Sequence, residues 1–207
     1  HVEHPAFDAW QSLKGCLVLA AAVVGFLIPG LPREIVALTA AALDEAPEDP
    51  AHRLRVALLE ARFARPAAAL AAARPAFAAA ARDALLGDLL GMIGDTLHRI
   101  GAVEEAAEML RHGWRASPRA VMRRSFLAAA LPAYRRSINT GADLALLEEM
   151  AEAAAGAIAA IPAELLGEVA RLSEEAGRDD LLRTLGDAAL AAGDAARARV
   201  LSGIGSD

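Results

Sequence analysis

"LGMIGDTLHRIGAVEEAAEMLRHGWRASP", residues 90–118, has the pattern of two short helices joined by a glycine turn. In its first half, apolar residues recur at steps of three and four, which places them on one stripe of a helix: Leu90, Ile93, Leu97 and Ile100. Gly94 lies on that stripe, where the missing side chain lets another helix come close. The pattern therefore predicts a helix whose apolar stripe packs against a neighbour.

The second half of the stretch carries the signals of a turn and a new helix. Gly101 follows the stripe and suits a helix C-terminal cap with positive φ. Glu104 and Glu105 come next, and acidic side chains are stabilised near the positive end of a helix dipole. Pro118 then marks a break. Between these signals the second helix presents a packing face made of Ala106, Leu110 and Gly113.

The composition of the whole chain agrees with a helical fold. Of its 207 residues, 56% are hydrophobic but only 4% are aromatic, because the excess is alanine and leucine, which favour helices. No segment alternates apolar and polar residues, so strands are not expected. The net charge of −6 does not favour nucleic-acid binding, although the chain has 20 arginines against one lysine, Lys14. The predicted class is all-α.

The spacing of residues 90–118 resembles that of the tetratricopeptide repeat family. Large and small residues stand at the positions of the family pattern: Leu90, Ile93, Gly94 and Leu97, then Ala106, Leu110, Gly113 and Pro118. A second copy lies near the C-terminus, with Leu182, Leu185, Gly186 and Ala189 in a first helix, a turn at Gly193 and Asp194, and Ala198 and Ser202 in a second helix. The resemblance implies antiparallel helix pairs stacked as an α-solenoid that binds other proteins.

The resemblance covers residues 47–207 and is clearest at 87–120 and 179–203. A degenerate repeat is expected from Leu54, Leu58 and Phe63 through the alanine-rich 67–82. Gly94 and Gly186 are 92 residues apart, less than three periods of about 34 residues. The middle, about 119–178, is therefore expected to hold longer or irregular helices. An irregular helical bundle is the alternative for residues 47–207.

Residues 1–46 form a separate, apolar N-terminal segment. Within it, "GCLVLAAAVVGFLIPGL", residues 15–31, carries no charge and is long enough to span a bilayer as a helix. The sequence predicts a membrane anchor here, with a buried helix as the alternative. Residues 12–43 also resemble a membrane segment of the arsenite- and citrate-type anion permeases, which implies a subunit or fragment of a transport system. The expected location is the bacterial inner membrane, or otherwise the cytoplasm.

Charged residues are segregated in the second half of the chain. Between Glu108 and Asp143 there is no acid but there are seven arginines, and from Asp143 to Glu168 there are six acids without a base. Because the guanidinium group binds carboxylates with two parallel hydrogen bonds, the basic block predicts a site for a protein or acidic peptide. The alternative is that the two blocks pair inside the fold. The predicted partner-binding residues are Arg111, Arg115, Arg119, Arg123, Arg124, Trp114 and Tyr134.

Signals of catalysis, cofactor binding and metal binding are missing from the sequence. The five histidines show no ligand spacing, and no serine lies in a nucleophile motif. The glycines do not form a phosphate-binding or dinucleotide-binding loop. The sequence therefore predicts a non-catalytic interaction scaffold without a cofactor. A subunit of a transport system and a soluble regulatory helical domain are the alternatives.

Overall fold

The computed structural model describes residues 49–138 and 143–203, with side chains as far as residue 201. This part of the chain is helical and contains no strand, which confirms the predicted all-α class. Single 3-10 turns lie at Arg74–Ala76 and Ile158–Ala160. The helices are α1 (Pro50–Arg62), α2 (Pro66–Ala73), α3 (Phe77–Ala80), α4 (Ala84–Arg99), α5 (Val103–Ala116), α6 (Ala120–Ser137), α7 (Leu144–Ala155), α8 (Ala163–Glu175), α9 (Asp179–Ala191) and α10 (Ala195–Gly203).

Short polar side chains begin several of these helices. Asp49 accepts a hydrogen bond from the backbone N–H of Ala51 at 2.9 Å, and Asp83 accepts one from Leu85 at 2.8 Å. Asp143 accepts a hydrogen bond from the backbone N–H of Leu146 at the start of α7. These carboxylates satisfy N–H groups that have no partner within the helix and lie at the positive end of its dipole.

Glycines with positive φ end three of the helices. Gly101 has φ +82°, Gly177 has +66° and Gly193 has +78°, in a region where a side chain is strained. The predicted turns at Gly101 and at Gly193 are thereby confirmed. The break predicted at Pro118 is also confirmed, since Pro118 lies between the end of α5 and the start of α6.

The crossing of α4 and α5 depends on glycines in both helices. A Cβ atom built on Gly113 lies 3.1 Å from the carbonyl oxygen of Gly87 and 3.2 Å from the nitrogen of Gly91, so the two backbones are in contact. A Cβ built on Gly94 meets the side chain of Leu110 closer than 3.0 Å. The predicted close approach at Gly94 is confirmed, and the stripe residues Leu90, Ile93 and Leu97 are fully buried beside it.

Helices pack mainly on their neighbours in chain order. α1 packs on α2, α4 on α5, α5 on α6, α6 on α7, and α9 on α10, with further contacts from α1 to α4 and from α7 to α9. One hydrophobic core runs through them, and alanine fills many of its positions. The interior therefore consists of closely spaced helices with few large side chains.

The predicted crossing at Gly186 is not found among the described atoms. A Cβ built on Gly186 has no described atom within 4 Å, whereas the matching position, Gly94, is filled by Leu110. Sixteen residues separate Gly94 from Leu110, and the residue sixteen positions after Gly186 is the short, polar Ser202, whose side chain is outside the described residues. The described residues therefore show no crossing at Gly186, and its counterpart of Leu110 lies outside them.

The middle of the chain has the expected longer helix. α6 has 18 residues and holds Pro132 in its interior, and a 3-10 turn separates α7 from α8. The N-terminal segment 1–46, the anchor predicted at 15–31 and the permease-like residues 12–43 lie outside the described residues. Within 49–138 and 143–203, no helix has both the length and the apolar character needed to cross a bilayer.

Candidate interaction surface

Most arginines of the basic block contact groups of the same chain. Arg111 and Arg115 on α5 both pair with Glu149 on α7, at 2.6 Å and 2.9 Å. Further pairs join the block to α4, α8 and α5: Arg119 with Asp88, Arg135 with Glu168, and Arg136 with Glu104. Three of these pairs, those of Arg111, Arg115 and Arg135, join the basic block to the acidic block, as the alternative expected. The acids that pair with Arg119 and Arg136 precede the basic block.

Arg123 forms no ion pair with a described residue but is fixed between three helices. Its Nη1 donates to the carbonyl oxygens of Glu152 and Ala153, at 3.3 Å and 3.4 Å, near the end of α7. The guanidinium carbon also lies 4.9 Å from the centroid of the Trp114 ring on α5. Arg123 thus stabilises carbonyls at the negative end of the α7 dipole and stacks on an aromatic face.

The space for Arg123 is created by Gly156, which follows α7. A Cβ built on Gly156 meets the Arg123 guanidinium closer than 3.0 Å, although the backbone there is ordinary, with φ −69°. The glycine therefore leaves room for the guanidinium, while its backbone conformation is one that other residues also adopt. This arrangement was not predicted from the sequence.

The two predicted aromatic contacts belong to the core. Trp114 packs against Phe126 with ring centroids 5.9 Å apart, and it is almost fully buried. Tyr134 is also buried, and burial raises the pKa of its hydroxyl. Neither ring is exposed at the surface of the described residues.

Arg124 differs from the other arginines of the block. Its side chain is exposed, and it has no ion pair or hydrogen bond with any described residue. Val121, three residues earlier on α6, is also exposed. Arg124 is thus the residue of the predicted site whose charge is available to a partner.

Exposed apolar side chains also lie on α4 and α6. Leu85 is 74% exposed, Met92 is 50% exposed and Val121 is 54% exposed. α4 and α6 contact each other, because Arg119 pairs with Asp88 and a Cβ on Gly91 would meet the end of the Met122 side chain. We call the set Leu85, Met92, Val121 and Arg124 the α4/α6 surface.

Several ion pairs connect residues that are about one repeat period apart. The sequence separation is 34 for Arg74–Glu108 and Arg115–Glu149, 33 for Arg135–Glu168 and 31 for Arg119–Asp88. Arg178 also lies between Glu148, 30 residues earlier, and Asp180. Hydrogen bonds from Arg178 lower the pKa of Asp180 to about 2. A search of the sequence for opposite charges at this separation would have found these contacts.

His112 stacks on Phe77, with ring centroids 3.9 Å apart and planes inclined by 20°. Burial lowers the pKa of His112, and the nearby Arg115 acts in the same direction. The histidine therefore joins α5 to α3 in its neutral form, as an aromatic ring. The described residues contain no cluster of three metal-ligating side chains.

No protein-family model, curated protein or solved structure matches the chain.

Proposed function

We propose that the chain is a non-catalytic helical-repeat scaffold that binds a protein partner through the α4/α6 surface. The observation that carries the proposal is the exposure of Leu85, Met92 and Val121 on two helices that contact each other, together with Arg124, which has no ion pair with a described residue and lies three positions after Val121. The stacked-repeat arrangement is supported by glycine-mediated crossing of α4 and α5 and by ion pairs that join residues 31 to 34 apart. This separation is close to the period of about 34 residues of tetratricopeptide repeats.

The chemistry of the α4/α6 surface defines the partner. The exposed apolar side chains of this surface would be stabilised by packing against apolar residues of a partner segment, since burial removes their surface from water. The Arg124 guanidinium favours a carboxylate at the edge of that contact. The paired arginines contribute less, because Arg111, Arg115 and Arg119 would first have to leave Glu149 or Asp88. The proposed partner is therefore a short segment with apolar side chains and an acidic residue.

A panel of fluorescent 15-residue peptides tests this proposal, each with apolar residues at helical spacing and either glutamates or lysines on one flank. The glutamate peptides should bind the full chain, and Arg124→Glu should weaken their binding about tenfold, as expected for the loss of a charge-assisted contact. Arg82→Glu is the matched control, because Arg82 is exposed in the turn before α4 and the charge change is the same. Equal binding of both panels, or equal loss in both variants, contradicts the proposal.

We also propose that residues 15–31 hold this scaffold at a membrane. The support is the uncharged length of that segment. The full chain should stay in the membrane pellet after washing with high salt and carbonate, whereas residues 47–207 should be released. Recovery of the full chain in the soluble fraction would instead favour the regulatory helical domain.

A further inference from the structure

The outer side of α9 and α10 forms an open groove at the C-terminal end of the described chain. The groove has a volume of about 530 Å³. The α9 wall includes Asp179, Arg183, Gly186, Asp187 and Leu190, and the α10 wall includes Ala198, Arg199 and Leu201. A Cβ built on Gly186 has no described atom within 4 Å, and the glycine is partly exposed.

The residues around Gly186 lie on one stripe of α9. Positions 183, 186, 187 and 190 follow the spacing of neighbours on a helix surface. Leu190 is 60% exposed. Arg183 and Asp187 are exposed and form no ion pair with each other or with another described residue, although they are one turn apart. The stripe therefore combines a glycine, an exposed apolar side chain and two opposite charges that form no ion pair among the described residues.

We propose that this groove binds a second copy of the same chain, with the two α9 helices antiparallel and crossing at Gly186. A two-fold axis at the crossing places Arg183 beside Asp187 of the partner subunit, and the same contact occurs twice. Their offset along the axis is two residues, about 3 Å at the rise of an α-helix. An arginine side chain spans this distance. Leu190 then packs between the stem of Arg183 of the partner subunit and the groove.

Charge complementarity selects this occupant. An acid and a base within one turn of Gly186 make the stripe complementary to itself after a two-fold rotation. A partner segment of a single charge sign would meet a like charge at one end of the stripe, which disfavours binding. The molecule already uses glycine for close helix contact, at Gly87 and Gly113 between α4 and α5. Gly186 permits the same approach between two chains.

Charge exchange between two differently tagged full chains tests the arrangement. Two wild-type copies should co-purify and sediment as a dimer. Arg183→Asp should reduce its self-association about tenfold, and so should Asp187→Arg, because each change brings like charges together. Mixing Arg183→Asp with Asp187→Arg should restore the complex, since both contacts then join opposite charges. The chain that carries both changes should also associate with itself.

Alanine at two open glycines provides a second readout. Gly186→Ala should weaken the dimer without unfolding the chain, because its Cβ meets no described atom within the monomer. Gly167→Ala on α8 is the matched control, since a Cβ built on Gly167 also has no described atom within 4 Å and Gly167 lies outside the α9 stripe. The proposal is overturned if the wild-type chain is monomeric at all concentrations, if charge exchange restores nothing, or if both alanine variants weaken the dimer equally.

Discussion

At the level of single residues, α4 and α5 approach closely because glycine, which has no side chain, lies at their crossing. The cost of adding a methyl group at each glycine depends on what it would meet. At Gly87 the methyl meets the Cβ of Ala116 at 2.7 Å, and neither group can rotate away. At Gly91 it meets the flexible end of Met122, while at Gly167 no described atom is within 4 Å. The three positions therefore form a graded series.

Alanine substitution at these positions should follow that order. Gly87→Ala should lower the free energy of unfolding by about 1–3 kcal/mol, because overpacking exceeds the gain in helix propensity. Gly91→Ala should cost less, and Gly167→Ala should add up to about 1 kcal/mol. Urea denaturation followed by circular dichroism measures all three. A gain in stability at Gly87 would mean that α4 and α5 are further apart than described.

The pH dependence of stability tests the contact between His112 and Phe77. Burial lowers the pKa of His112 from 6.5, so below that pH the unfolded chain takes up a proton more readily than the folded chain. The contribution of His112 is therefore complete above about pH 6.5 and is lost as the pH falls through that value towards its lowered pKa. His112→Phe, which keeps a ring beside Phe77, should lose less stability than the wild type between about pH 7.5 and 5.5 in urea melts. Equal losses would contradict the assignment.

Single residues were predicted well where local backbone geometry decides them. Gly101 and Gly193 follow the rule for helix ends, and Gly94 follows from its place on an apolar stripe. Arg124 could not be distinguished from its neighbours, because its lack of an ion pair depends on which acids other helices bring close. Gly186 was expected to contact a neighbouring helix as Gly94 does. The residue at the position of Leu110 is here Ser202, whose side chain lies outside the described residues.

At the level of helices, the end of α7 is attached to α5 and α6 by one arginine. Arg123 reaches the last carbonyls of α7 and the Trp114 ring only because Gly156 leaves room for its guanidinium. The helices themselves were predictable from apolar periodicity, proline and glycine. The attachment was not, because it joins residues about thirty positions apart that have no local signature.

A double-mutant cycle tests this attachment. Gly156→Ala should destabilise the chain by about 1–2 kcal/mol, because the new Cβ displaces the guanidinium from its carbonyl contacts. In the Arg123→Ala background the same change should be neutral, which gives a coupling of similar size. Thermal or urea unfolding of the four proteins measures it. Additive effects would show that Arg123 and Gly156 act separately.

At the level of the whole molecule, charges hold helices that are not consecutive. Glu149 on α7 pairs with two arginines of α5 and is only 16% exposed, whereas Glu104 is 54% exposed in its pair with Arg136. The two blocks were visible in the sequence. Their mutual pairing required the order of the helices in space, which places residues 33 to 38 apart side by side.

Substituting the acid of a partly buried ion pair and the acid of an exposed ion pair distinguishes structural charges from surface charges. Glu149→Gln should cost about 1–3 kcal/mol, because it leaves two arginines without a carboxylate in a partly buried site. Glu104→Gln should cost less than about 1 kcal/mol, as exposed pairs do. Differential scanning calorimetry compares the two variants at low and high salt. Equal small effects would mean that the pairing of the blocks contributes little to stability.

The packing of each helix on its neighbours in chain order also affects how the protein folds during translation. α1 and α2 can meet as soon as both have left the exit tunnel, and α4 and α5 can then pack on them while the C-terminal third is still being translated. Because the chain segments between contacting helices are short, the entropic cost of loop closure is small at each step. α9 emerges late, so a groove that recruits a second copy becomes available only when the rest of the chain has already folded.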